Sequence, residues 1–356
     1  MLPLSVLQKA AGEITSFGGA GQSVMEISHR GGDFKPIIEG AESLLRELLN
    51  IPPNYHVLFL QGGGMTQFAA VPVNIAGVEA AKEKRNCTYI DTGVWAAKAA
   101  SEAGKYVNVK IPASSKDKNY TCIPDAPAPS ADDAYYYICL NNTIVGTKWH
   151  KLPETGSVPL VTDASSCILS EPLDVTRFGL IFAGAQKNLG PAGCTIVIVR
   201  DDIAHNAPSW TPAMLNYDIH IKEKSLFNTP PCWCIYIIGL VLQWIKETGG
   251  LAAMQKHNSE KAALLYDCLD NSKLFKSPVE KSSRSLMNVP FVFNIEDAEK
   301  KALLEKRFLH EAALAGMVNL AGHRLVGGLR ASIYNAMPVE GVRALISFIN
   351  QFEKSA

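Results

Sequence analysis

No excess of charge of either sign exists in this 356-residue chain: 34 lysines and arginines balance 34 aspartates and glutamates. A neutral chain has no overall field to draw in nucleic acid or an anionic membrane surface, so neither is expected as a partner. Long apolar runs are missing as well. The most apolar stretch, Cys232 to Ile245, is about 14 residues long with Gln243 inside it, against roughly 20 needed to span a bilayer. It reads as a buried helix. Cysteine is too dilute for a disulfide scaffold, at eight residues, and Cys139, Cys194 and Cys268 sit in apolar runs. Cys232 and Cys234 form C-x-C, and no Cys/His pairs carry zinc spacing, so no metal is expected. A reduced, cytoplasmic compartment fits this usage. The opening MLPLSVLQKAAGEI is neither a signal peptide nor an Arg-rich transit sequence.

What the chain does have is apolar content, 47% of its residues, which excludes disorder over most of its length. Its size suggests two domains. There are no internal repeats. Short β-rich runs (57–60, 88–91, 135–140, 160–162, 180–183 and 195–199) alternate with helical patterns (37–49, 67–75, 94–102 and 235–246). That alternation predicts βαβ units, an α/β fold and a mainly parallel sheet. Residues 122–133, rich in Pro, Ala and Asp, read as a surface connection. Gly249-Gly250 breaks the pattern, and helix, strand, helix, β-like segment and helix follow. The expected division is a large domain over 1–248 and a smaller α+β domain over 249–356.

Candidate chemistry gathers where strands end. In LIFAGAQKNLGPAGCTIVIV (180–199), Lys187 follows an apolar strand and small residues. A lone lysine is usually an exposed loop residue, whereas a Schiff-base lysine needs a partly buried amine of lowered pKa. Asp163, in LVTDASS, ends another apolar strand. Strand ends of an open α/β sheet converge on one crevice, so Asp163 and Lys187 can share it. A carboxylate there can keep a pyridinium nitrogen protonated, although aspartate also serves simply as a turn residue. Gln61-Gly62-Gly63-Gly64-Met65-Thr66-Gln67 lies between a strand and a helical pattern. Glycines let backbone approach an anion, and a helix N-terminus favours negative charge. The spacing matches neither a dinucleotide fingerprint nor a Walker loop.

Trp95, in TGVWAAKAA, could stack on a flat heteroaromatic ring or simply pack. Thr143, after the 135–140 strand, could bond a phenolic oxygen or cap a turn. Arg324 and Arg330 stand six apart in GHRLVGGLR, with His323 beside the first, and Ser28-His29-Arg30 supplies a second cationic pair. Arginine suits bidentate capture of carboxylate or phosphate, so the pairs fit an anionic substrate.

Taken together and in this order, SVMEISHR (23–30), FLQGGG (59–64), TGVWAAKAA, AGAQKN (183–188), FNTPPC (227–232) and GHRLVGGLRASIYNAMP (322–338) resemble the phosphoserine aminotransferases, pyridoxal-phosphate enzymes of the class V aminotransferase group. The resemblance runs from Leu2-Pro3 to the C-terminal helix. It implies the aspartate aminotransferase-like fold and a homodimer with shared active sites. It also implies ping-pong conversion of 3-phosphohydroxypyruvate and L-glutamate to O-phospho-L-serine and 2-oxoglutarate, in serine biosynthesis, through an aldimine on Lys187. By the same resemblance Asp163 pairs with the pyridine nitrogen, Trp95 stacks on the ring and Thr143 binds its 3-oxygen. Gly64, Met65 and Gln186 would hold the cofactor phosphate, joined by Asn228 and Thr229 from a partner subunit. Arg330 would take the substrate α-carboxylate. His323 and Arg324, with His29 and Arg30 from the partner, would take its phosphate.

Several positions depart from the family pattern. Asn142, Cys167 and Leu325 replace the usual residues of their motifs. The strand-like Gly-Pro segment that normally precedes Leu-Pro is absent, leaving a weakened homologue or another class V aminotransferase as the alternative expectations. A cysteine desulfurase is disfavoured, because no cysteine follows Cys268 and Gln186, not histidine, precedes Lys187.

Overall fold

The computed structural model describes residues 2–80 and 82–356. In chain order its helices are α1 (Leu4–Glu13), α2 (Lys35–Leu49), α3 (Gly63–Ala76), α4 (Val94–Ala103), α5 (Tyr217–Lys222), α6 (Cys232–Glu247), α7 (Gly250–Asn271), α8 (Ala298–Leu314) and α9 (Val339–Ser355). Its strands are β1 (Tyr55–Leu60), β2 (Asn86–Asp91), β3 (Asn108–Ser114), β4 (Tyr136–Cys139), β5 (Asn141–Asn142), β6 (Thr147–Lys148), β7 (Leu160–Asp163), β8 (Leu180–Gly184), β9 (Thr195–Arg200), β10 (Phe275–Lys276), β11 (Asn288–Phe293) and β12 (Leu329–Ser332).

Seven strands form the main sheet, in the order β1-β9-β8-β7-β4-β2-β3. β9 pairs antiparallel with both neighbours, and the remaining pairings are parallel. Six strands therefore run one way, and their C-terminal ends share one side of the sheet. Alternate residues of the same strands feed two cores, as the period of two requires. Phe59, Ile138, Ile181 and Ile196 pack with α1, α2 and α6 on one face. Leu60, Tyr137, Phe182 and Val197 pack with α3 and α4 on the other. Burial on both faces is why these strands read as continuous apolar runs.

Two details depart from the sequence reading. The edge strand β3 was not expected: most of its residues are exposed, and Lys110 and Pro112 give it no apolar period. Such residues are what an edge strand carries to discourage further pairing. The β9 strand is reversed, because the ten residues joining it to β8 are too few for a parallel crossover.

A three-stranded antiparallel sheet, β10-β11-β12, follows α7. With α8 and α9 it encloses a third core around Phe275, Phe291, Phe293, Phe308 and Phe352. Gly249 and Gly250, at φ of 101° and 72°, make the turn between α6 and α7, a region open to glycine and strained for most residues. α7 starts in the first core, through Leu251 and Met254, and ends in the third, through Leu265 and Leu269.

Lys261 of α7 is fully buried and donates to Ile333 O at 3.0 Å and Tyr334 O at 2.8 Å. Burial pulls its ammonium down to about 7. The folded lysine thus loses its proton near pH 7, while the unfolded one keeps it to about 10.4. Over that window the unfolded chain binds more protons, so stability rises with pH. The stability of the parent protein relative to Lys261→Met should climb by about 1.4 kcal/mol per pH unit between about pH 7 and 10. Urea unfolding of both proteins measures this, and the two carbonyls left unpaired by methionine add only a constant offset. A difference independent of pH would contradict it.

Candidate active site

Five of the parallel strands deliver their following residues to one place. A cavity of about 180 Å³ is lined by Gly62, Gly63, Gly64 and Met65 after β1, Trp95 after β2, and Thr143 beyond β4. Asp163 and Ser165 from β7 and Gln186 and Lys187 beyond β8 complete its ring. Lys187 Nζ donates to Thr143 Oγ1 at 2.7 Å. Desolvation pushes its ammonium below the ordinary lysine range, opposed by the charge of Asp163. Asp163 is itself buried, and burial raises its carboxyl above the ordinary aspartate range. The Lys187 charge and the Ser165 N–H, 2.8 Å from Oδ1, pull it back. Each group therefore favours ionisation of the other in a place that disfavours charge.

Gly62 begins α3 at φ 91° without a side-chain cap. The first N–H groups of a helix have no intrahelical partner, and Gly63, Gly64 and Met65, which carry them here, line the cavity. A Cβ on Gly64 would stand 3.7 Å from Asp163 Oδ2 and 3.6 Å from the Phe182 ring, so the start of α3 lies directly against the carboxylate. The Trp95 indole N–H is buried without an acceptor among the described residues.

Arg330, on β12, reaches Thr143 O with Nη1 at 3.2 Å, and its Nε is buried without a partner among the described residues. His323 lies on the connection before β12. Its imidazole is held below its ordinary value, first by burial and then by Arg330, Arg324 and Lys98. Lys98, within TGVWAAKAA, is a further cation beside this cavity's indole. One helical turn beyond Trp95, its ammonium lies 5.0 Å from the indole centroid, and the i, i+3 spacing on α4 was the available signal. Ser165 has no such signal; besides the bond to Asp163 its Oγ accepts from Gly184 N at 2.9 Å.

Not every candidate joins this cavity within one chain. Asn228 Nδ2 donates to Gln61 Oε1 at 2.8 Å, and Gln61 Nε2 donates to Thr229 O at 3.0 Å, so both residues pack beside the glycine turn. His29 and Arg30 line a separate groove of about 700 Å³ with Arg46 and His56, and His29 Nε2 is buried without a partner there among the described residues. Of the departures, Asn142 is buried and donates to Thr92 and Thr147 at 3.1 Å, Cys167 is buried, and Leu325 is exposed.

Comparison with known proteins gives the family. The family model for class-V aminotransferases matches residues 1–345. A phosphoserine aminotransferase from Listeria monocytogenes is 51% identical over 354 residues, covering 99% of this chain and 94% of that protein. The structure of phosphoserine aminotransferase from Bacillus circulans subsp. alkalophilus superposes with a TM-score of 0.94 at 44% identity, over 100% of this chain and 96% of the other. That of PLP-bound phosphoserine aminotransferase from Trichomonas vaginalis gives 0.91 at 35% identity, over 98% and 97%. The chain belongs to the class-V aminotransferase family and, within it, to the phosphoserine aminotransferases.

Proposed function

We propose that this chain catalyses transfer of the amino group between L-glutamate and 3-phosphohydroxypyruvate, giving O-phospho-L-serine and 2-oxoglutarate, with pyridoxal 5'-phosphate as resident cofactor. The observation that carries this reading is the half-buried Lys187 amine beside the buried Asp163 carboxylate, in one cavity entered by the start of α3. The donor set fits the cofactor: an anionic group for the ring nitrogen, free helix N–H groups for a phosphate, and a buried indole N–H and an arginine Nε left without partners among the described residues. When bound, the cofactor supplies an electron sink for the pair released at the substrate Cα.

The chain's own residues do the rest. Lys187, its ammonium destabilised by burial, supplies a neutral amine as nucleophile and as carrier of the Cα proton. Thr143 Oγ1 orients that amine. Asp163 would hold a proton at the ring nitrogen, Trp95 would cover the ring, and Gly64, Met65 and Gln186 would hold the phosphate. Arg330, tethered to Thr143 O, takes the α-carboxylate, and His323 and Arg324 take the phosphate of the substrate or the side-chain carboxylate of glutamate.

The reading includes a homodimer in which Asn228, Thr229, His29 and Arg30 complete the partner's site. Support comes from the placing of His29 and Arg30 in a groove apart from the Lys187 cavity and from the unpaired His29 nitrogen. It also includes a large unit over 1–248 and a smaller one over 249–356, supported by the glycine turn before α7. A cytoplasmic setting is supported by eight free thiols. No helix among the described residues is long and apolar enough to cross a membrane.

The test is a half-reaction screen: phosphoserine and glutamate should bleach the visible band of cofactor-loaded protein far faster than serine or alanine. Arg324→Ala should raise KM for phosphoserine by roughly 10- to 150-fold, the loss of about 1.5–3 kcal/mol from a charge-assisted pair, and that for alanine hardly at all. Equal effects on both amino acids, or equal bleaching by alanine, would refute the phosphate assignment.

A further inference from the structure

Far from the Lys187 cavity, two imidazoles converge on one carboxylate. His56 is the second residue of β1, and Asp201 directly follows β9. The two strands pair with Tyr55 opposite Arg200, and Asp201 N–H donates to Asn54 O at 2.9 Å. The short helical turn Asp201–Ile203 then brings His205 back over the same carboxylate. His56 Nε2 lies 2.7 Å from Asp201 Oδ1 and His205 Nε2 lies 3.2 Å from that same oxygen. The ligand atoms of all three residues fall within 4.8 Å of one another. The rings stand edge to face, 6.0 Å between centroids.

A second observation concerns the other face of His205. Its Nδ1 lies 2.7 Å from Asp218 Oδ1, and Asp218 Oδ2 lies 2.6 Å from Lys222 Nζ. A carboxylate on the far nitrogen is the outer arrangement that orients metal-bound histidines and fixes the tautomer presenting Nε2. We propose that His56, Asp201 and His205 form a binding site for a divalent transition-metal ion of the zinc class, with Asp218 as the outer carboxylate.

Two nitrogens and one oxygen suit zinc, whereas magnesium and calcium require oxygen donors. Metal bonds of about 2.0–2.1 Å set tetrahedral ligand atoms about 3.3 Å apart, so the tightest pair, at 2.7 Å, opens by roughly 0.6 Å. The side chains keep 28%, 58% and 44% of their surface, which leaves the fourth position to water. The bound ion would clip the β1–β9 edge to the turn before α5. Sequence spacing hid this set because strand pairing, across 145 residues, brings His56 to Asp201.

His56 lies near the start of β1, whereas the glycine turn at the Lys187 cavity follows its end. At 3.3 Å per residue that separation is more than about 13 Å, and His205 lines neither the Lys187 cavity nor the groove of His29 and Arg30, so transamination should be unchanged in His205→Ala. Zinc should bind the cofactor-loaded, dialysed protein at one ion per chain by titration calorimetry. Affinity should fall more than tenfold in His56→Ala and in His205→Ala, and by about 10-fold in Asp218→Asn. Magnesium should give no heat. X-ray absorption at the zinc edge should report two imidazoles and no sulfur, which separates this site from adventitious binding at the cysteines. No saturation up to about 100 µM zinc, equal affinity in the histidine variants, or sulfur ligation would each overturn the proposal.

Discussion

Lys187→Ala is expected to lower kcat for glutamate-dependent transamination by about 10⁴-fold, the upper range for loss of a positioned proton carrier, while KM moves far less. Lys187 is the only amine lining the cavity among the described residues, and Cys139 and Asp163 are the only other titratable groups there. Burial drives the Cys139 thiol well above its ordinary value and the Asp163 carboxyl upward as well. Neither is placed to replace a neutral amine. Truncation to alanine leaves room where the lysine stem lay, so added methylamine should restore part of the rate in proportion to its concentration. A merely structural lysine would give no rescue. Loss of less than tenfold in kcat would remove Lys187 from the reaction.

Much of this site was legible because strand ends announce themselves locally. An apolar run followed by small residues and glycine marks where a strand stops, and Asp163, Lys187, Trp95 and the glycine turn all stand at such stops. That they share one cavity follows from the common direction of their strands. Lys98 was harder to see, since a lysine in an alanine-rich helix is normally a solvated face; only the position of Trp95 three residues earlier distinguishes it. Ser165 contributes through a backbone N–H and a hydroxyl turned inward, and sequence carries no mark of either.

The fold divides in a similar way. The strands buried on both faces were readable as apolar blocks, and α2 and α9 as amphipathic periods. β3 was not, because an exposed edge strand is selected against the very pattern that identifies strands. The reversal of β9 was present in the sequence as a short connection containing Gly190-Pro191-Ala192-Gly193, but strand composition alone does not give direction. Least legible was the joining of His56 to Asp201 and His205, which depends on register between strands far apart in the chain.

Asp163→Asn should reduce kcat by about 10²–10³-fold, the cost typical of removing one preorganised electrostatic partner in a dry site, and should not destabilise the cofactor-free protein. The second half of that expectation follows from the direction of the carboxyl shift. Burial raises the folded pKa of Asp163 above its unfolded value. The stability this group contributes is present below the unfolded pKa, where it is protonated, and is lost as pH rises through the folded one. Above its unfolded pKa the aspartate therefore costs stability, a cost that asparagine does not incur. Asparagine can still accept the Ser165 N–H that Oδ1 accepts at 2.8 Å, so the turn after β7 keeps its bond. What it cannot do is hold a proton on a pyridine nitrogen or raise the Lys187 ammonium as the aspartate charge does. Thermal unfolding of the cofactor-free variant should occur at or above the temperature of the parent, while its turnover collapses. A variant that unfolds earlier and retains its kcat would assign Asp163 to the scaffold. The expected opposite pairs a loss of activity with a gain of stability, as a carboxylate kept buried for its chemistry should.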